Sequence, residues 1–195
     1  APDDASTIAV TDGSYVYISS NGGSTWTTLP PLPAAYTGAS IQLVAIGPAR
    51  AGTFFGRRYA IALADPAAGA TALGDVLIIR DTLAWSSVAP AITGTRDYIS
   101  ARFAPGTDGF VVASGAGTAP GSAAVQVINT ENGTVVSTAI LNSGGTTTDL
   151  AAPSTDTSLT GGMMQLPTDF DATNPDKRRG YVLLRSGVAP APVQP

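Results

Sequence analysis

The chain of 195 residues has no cysteine and no histidine, a single lysine (Lys177) and a single glutamate (Glu131). Without thiol or imidazole there is no thiolate nucleophile, no Ser-His-Asp triad, no disulfide and no zinc site of the common kinds. Charged residues make up 12%, about half the share usual in globular domains. Lys and Glu normally cover solvent-exposed helix faces, so their scarcity argues against an ordinary helical protein. The formal charge of −4 leaves little cationic surface for phosphate backbones, so nucleic acid is not an expected partner. No apolar run approaches the roughly 18 residues a membrane-spanning helix needs, so no membrane span is expected. The opening Ala1-Pro2-Asp3-Asp4 lacks the basic region and apolar core of a secretory leader, which leaves a mature form with its signal removed as one reading.

Glycine and proline are abundant instead, at 22 and 15 residues. They follow no strict triplet, which excludes collagen, and the Val/Ile/Leu segments between them can bury a core, which argues against disorder. Those segments are short, rich in Val, Ile, Tyr and Thr, and bounded by Gly/Pro/Asp turns, which is the pattern of an all-β chain. Strands are expected at 7–10, 15–19, 25–29, 41–46, 59–64, 75–80, 84–88, 98–103, 109–114, 123–129, 134–141, 162–166 and 180–185, with no helix.

The strands repeat. Trp26 and Trp85 each close a strand after a polar turn, and equivalent first strands begin near Ile41, Tyr98 and Gly162. Arg57-Arg58-Tyr59-Ala60-Ile61 is echoed by Arg178-Arg179-Gly180-Tyr181-Val182. Four strands per unit of roughly 50–65 residues is the period of a β-propeller blade, and the alternative is a β-sandwich, which does not require such a period. On this phasing, residues 6–29 are a partial blade, 41–88 and 98–141 are full blades, and 162–185 are a second partial one, together filling 1–188. The expectation is of a propeller section with two complete and two partial blades. Such a section leaves open sheet edges, so the missing strands are expected from other copies of the chain or from the remainder of a longer polypeptide.

One segment is specific. Ser19-Ser20-Asn21-Gly22-Gly23-Ser24-Thr25-Trp26 resembles the Asp-box, the bacterial neuraminidase repeat S/T-x-D-x-G-x-T-W. Ser19, Gly23, Thr25 and Trp26 match it, and Asn21 stands where Asp is expected. Asn can fold its side chain onto turn N–H groups, Gly accepts positive φ, and the Trp is expected to cover the space between neighbouring blades. Weaker copies lie in phase: 80–85 keeps only Trp85, and 129–136 keeps Gly133 with Glu131 at the acidic position. The resemblance implies a sialidase-type propeller in which the box is the hairpin between third and fourth strands, remote from the axial site and therefore structural. The loops 103–108 and 166–171 also look like those of secreted and surface-layer propellers of bacteria.

Catalysis in that family needs an arginine cluster, a tyrosine with a glutamate partner, and an aspartate. The arginine-containing Arg-Ile-Pro signature is absent. The pairs Arg57/Arg58 and Arg178/Arg179 read as solvated strand starts, and Glu131 as a turn residue; nothing singles out a pair from Asp65, Asp75 and Asp97. Asp169, Asp171 and Asp176 alternate in a loop that could offer oxygen ligands to calcium, the alternative being a run of Asx turns before Pro175. Asn132-Gly133-Thr134 is a formal N-glycosylation sequon. Tyr15, Tyr17, Trp26, Tyr36, Trp85 and Tyr98 could stack on glycans, although strand aromatics usually belong to the core. Residues 146–160 read as a polar linker and 189–195 as a Pro-rich tail. The sum of these readings is a non-catalytic extracellular or cell-surface structural protein. A carbohydrate- or protein-binding propeller module is the alternative, and a glycoside hydrolase a third.

Overall fold

The computed structural model describes residues 1–53, 55–64, 74–88, 96–117, 124–140, 159–160, 164–182 and 185–186. The chain is all-β, and its three larger sheets are antiparallel meanders in chain order. The first sheet joins β1 (Ile8–Thr11), β2 (Val16–Ser19) and β3 (Thr27–Thr28). The second joins β4 (Ser40–Ala49), β5 (Arg57–Ala64), β6 (Val76–Ile79) and β7 (Ser86–Ser87). The third joins β8 (Arg96–Phe103), β9 (Phe110–Gly117), β10 (Ala124–Asn129) and β11 (Val135–Ile140). Two short ladders follow: β12 (Leu159–Thr160) with β15 (Arg185–Ser186), and β13 (Met164–Gln165) with β14 (Tyr181–Val182).

Strand boundaries depart from the sequence reading in instructive ways. β4 runs longer than expected, through Gly47 and Pro48, because two register slips against β5 absorb residues that do not pair. β12 falls inside the stretch read as a polar linker, because pairing with β15 gives its backbone partners that local polarity does not reveal. The rest of that stretch and the tail 189–195 lie outside the described residues. Helical structure among the described residues is confined to single 3-10 turns at Ala34–Tyr36 and Pro175–Lys177.

The core consists of layers between successive sheets. One layer holds Val16 and Leu29 from the first sheet against Tyr59, Ile61, Leu63, Leu77 and Ile79 of the second. The next holds Ala60, Ala62, Val76 and Ile78 of the second sheet against Ala101, Val111, Ala113 and Ile128 of the third. A third holds Val112 and Val127 against Met164, Leu166 and Phe170. Side chains alternate between the faces of a strand, so β5 sends its odd-numbered residues to one layer and its even-numbered residues to the other. A strand covered on both faces has no reason to alternate polar with apolar, and β5 is buried from Arg57 through Leu63.

The two faces of β5 differ in bulk. Tyr59, Ile61 and Leu63 fill one side, whereas Ala60 and Ala62 form the other. The small residues leave room for Ile78, Tyr98 and Ile128 in the same layer. Ala62→Leu should therefore overpack that layer and cost about 1–3 kcal/mol, measured by urea unfolding. Thr28→Leu at an exposed position should change stability by no more than about 0.5 kcal/mol.

Candidate functional site

The box-like turn joins β2 to β3, and a hydroxyl and a side-chain amide hold it. The Ser19 hydroxyl accepts from the Gly23 N–H at 2.9 Å and donates to Asn21 Oδ1 at 2.9 Å. Asn21 Oδ1 also accepts from the Thr25 N–H at 2.9 Å, and Asn21 Nδ2 donates to Thr25 Oγ1 at 2.9 Å. Gly22 and Gly23 have φ of +68° and +94°, a region that side-chain-bearing residues rarely enter. Asn21 thus makes the turn contacts expected at the acidic position. Trp26 does not do what was expected of it. It is 44% exposed, and a Cβ placed on Gly23 would lie 3.6 Å from its ring, so it folds over its own turn. The inter-sheet role belongs to Trp85, which is 6% exposed in the first layer and donates Nε1–H to the Pro30 carbonyl at 2.8 Å.

The arginine pair at the start of β5 is not solvated, which overturns the sequence reading. Adjacent strand residues point to opposite faces, and each guanidinium meets acids from a different neighbour. Arg57 donates to Asp3 and to the Gly47 carbonyl, the latter at 3.1 Å, with Asp4 3.8 Å away. Arg58 has no solvent exposure at its side chain and donates Nη1–H to Glu131 Oε1 at 2.6 Å. Asp108 and Asp81 each approach it at 3.6 Å, and Arg50 pairs with Asp108 at 2.9 Å. Burial works against the Arg58 charge, but the Glu131 hydrogen bond and the surrounding acids outweigh it and raise its pKa above the ordinary value. Glu131 was read as a turn residue, yet its carboxylate reaches into the neighbouring sheet. Asn129 and Asn132 supply the side-chain oxygens that fix that turn. Gly47 allows the approach: a Cβ there would lie 3.2 Å from Asp108 Cβ and 3.3 Å from the Arg58 carbonyl.

Other expected site residues are engaged locally. Asp171 accepts from the Thr173 N–H at 2.8 Å and the Thr173 hydroxyl at 2.7 Å, and Asn174 caps the 3-10 turn through the Asp176 N–H at 3.0 Å. No group of three or more acidic side chains that could hold a metal occurs among the described residues, so Asp169, Asp171 and Asp176 do not converge as the calcium reading required. An Asx turn directs the Asp171 carboxylate at its own backbone, and the Asn174 side chain does the same one turn later. Asn132 is exposed, with its Oδ1 accepting from Thr134. Asp75 accepts from the Tyr36 hydroxyl, the Ser87 hydroxyl and the Val76 N–H, and burial together with the Asp75 hydrogen bond pushes the Tyr36 phenol up to about 12. The side chains of Asp65 and Asp97 lie outside the described residues. Tyr98 is buried and donates to Gln126 at 2.9 Å, whereas Tyr15 and Trp26 are exposed.

A concave site that the sequence reading missed runs along the first strands of successive units. This groove, of ≈ 440 Å³, is walled by Leu43 and Ile46 of β4, Phe103 of β8 and Leu166 after β13. Arg102 of β8 and Gln165 of β13 also line it. No helix of the described residues is long and apolar enough to cross a membrane. No protein-family model matches the chain, and no curated protein matches it.

Three changes test these contacts. Asn21→Ala should cost about 1 kcal/mol through lost turn hydrogen bonds, while Asn21→Asp, which can still accept from Thr25, should melt close to the parent. Glu131 lies below its usual pKa because of its Arg58 hydrogen bond, and Asp4 is drawn down to about 2 by the hydroxyls of Thr7 and Ser6. A depressed carboxyl pKa stabilises the fold above the unfolded value, and that contribution is lost as pH falls through the folded value. Melting temperature should therefore fall between pH 4.5 and about 2, and Glu131→Gln should lower it at pH 6 while narrowing the difference from the parent near pH 2.

Proposed function

We propose that the chain is a section of an Asp-box-type β-propeller and serves as a non-catalytic structural or assembly component, extracellular or at a cell surface. Its open sheet faces are covered by further copies of the chain or by the rest of a longer polypeptide. The observation that carries this reading is the outer face of the first sheet. β1 and β2 turn Ala9, Val16 and Ile18 into the layer shared with the second sheet. Their intervening residues form the opposite face, where Val10 and Tyr17 are register partners and Tyr17 in turn faces Thr28. Val10 is 43% exposed, and Tyr15 before β2 and Trp26 before β3 are exposed as well. A sheet with two apolar faces fits the middle of a stack, as the second and third sheets illustrate.

The box-like turns support the same reading. All three segments, 19–26, 80–85 and 129–136, occupy the last hairpin of their sheets. The first sheet has three strands where the second and third have four, which suits a unit completed from outside. A structural rather than catalytic role also fits Asp81 and Glu131, the acids at the second and third of these turns, whose carboxylates both face Arg58.

Sedimentation velocity of the native polypeptide over a wide concentration range tests the proposal. Association that increases with concentration is expected, and Val10→Lys should weaken it by placing a charge on the covered face. A concentration-independent monomer whose intact mass equals that of the chain alone would overturn it.

A further inference from the structure

We infer that the groove along the first strands is a binding site for a small amphiphilic carboxylate, with Arg102 holding the head and the apolar walls holding the hydrocarbon body. Arg50 and Arg58 pair with carboxylates between the second and third sheets, Arg57 pairs with Asp3, and Arg80 donates to the Thr130 carbonyl. Arg102 makes no hydrogen bond or ion pair among the described residues, although its Nε is fully enclosed. A guanidinium is always charged and carries five donors, and enclosing one without an acceptor is costly. Arg102 is half-buried, and the enclosed Nε–H is the donor that lacks an acceptor among the described residues.

The surroundings say what would complete it. Arg102 follows Ala101, whose side chain enters the layer between the second and third sheets, so Arg102 faces the other way, toward the unit carrying Met164 and Leu166. It is the register partner of Val112, which lies in that same layer. No carboxylate lines the groove among the described residues, and Arg102 is the charged side chain in its lining. Leu43, Ile46, Phe103 and Leu166 provide apolar walls, and the Gln165 amide adds one polar contact at the rim. A volume of ≈ 440 Å³ falls in the range of small-molecule sites, which pair apolar walls with a few placed polar groups. The planar fork of Arg102 suits a carboxylate in bidentate geometry, and the walls suit a chain of methylenes rather than a hydroxyl-rich sugar. The site is independent of the outer face of the first sheet, so its test does not depend on assembly.

The test uses the whole chain with 8-anilinonaphthalene-1-sulfonate, an apolar anion, as reporter, and octanoate, octanol and acetate as competitors. Octanoate should displace the reporter at concentrations about tenfold or more below those needed for octanol, as expected where a charge-assisted hydrogen bond contributes. Acetate should be weak because it lacks the apolar body. Arg102→Met should weaken octanoate by about tenfold or more and leave octanol unchanged, and Arg102→Lys should retain part of the preference. If Arg102→Met does not fold by circular dichroism, the competition on the parent chain decides the matter alone. Equal displacement by octanoate and octanol, no displacement by either, or unchanged octanoate affinity in a folded Arg102→Met would overturn the inference.

Discussion

The middle sheet must be apolar on both sides, and most of the architecture depends on that requirement. β5 lies between two layers, with Tyr59, Ile61 and Leu63 on one side and Ala60 and Ala62 on the other. Because a strand's side chains alternate strictly, the two sets are independent, and each can be matched to its own neighbour. β6 repeats the arrangement with Leu77 and Ile79 facing one layer and Val76 and Ile78 the other. The third sheet continues it, giving Val111 and Ala113 to one layer and Val112 to the next. The molecule is therefore held by successive interfaces between sheets, each bringing together residues distant in sequence.

Apolar layers are non-directional, and burial alone does not fix the height at which one sheet meets the next. The charged residues supply that direction. Arg57 and Arg58 leave β5 on opposite faces and meet Asp3 on one side and Glu131 with Asp108 on the other. An enclosed ion pair adds little net stability over an apolar substitute, because removing both charges from water is costly. Its directional hydrogen bonds do restrict how the sheets align. The cluster around Arg58 joins turns from both four-stranded sheets, and Gly47 leaves the space in which those turns meet.

How much of this was legible in the sequence differs by element. Strands around Tyr59, Val76 and Val111 stand out because they are apolar, β-branched and bounded by turn residues. β12 does not, because Leu159 and Thr160 look like any polar loop until β15 pairs with them. The box-like turn was legible down to individual side chains, since Ser19, Asn21 and Thr25 bond within seven residues of chain. Trp26 and Trp85 were not. They occupy similar places in their repeats, yet Trp85 is buried between sheets while Trp26 covers its own turn. Arg58 looked like a solvated start to the strand at 59–64, and β5 instead takes in both arginines and buries them. Its partners Asp81, Asp108 and Glu131 are distant in sequence, and no local pattern names them.

The sequence by itself determined the all-β class, the chain-order meanders, the glycine-dependent turns and the exclusion of thiol and imidazole chemistry. Each of these depends on composition or on contacts within a few residues. Only the tertiary structure decided which arginines are neutralised, which tryptophan seals a layer, and that Asp169, Asp171 and Asp176 form no three-acid cluster while Asp171 bonds its own turn. It also decided that Arg102 lines a groove without an acceptor among the described residues. The physical reason is the same in each case. Burial, ion pairing and concavity arise where sheets meet, and the sheets that meet are made by residues far apart along the chain.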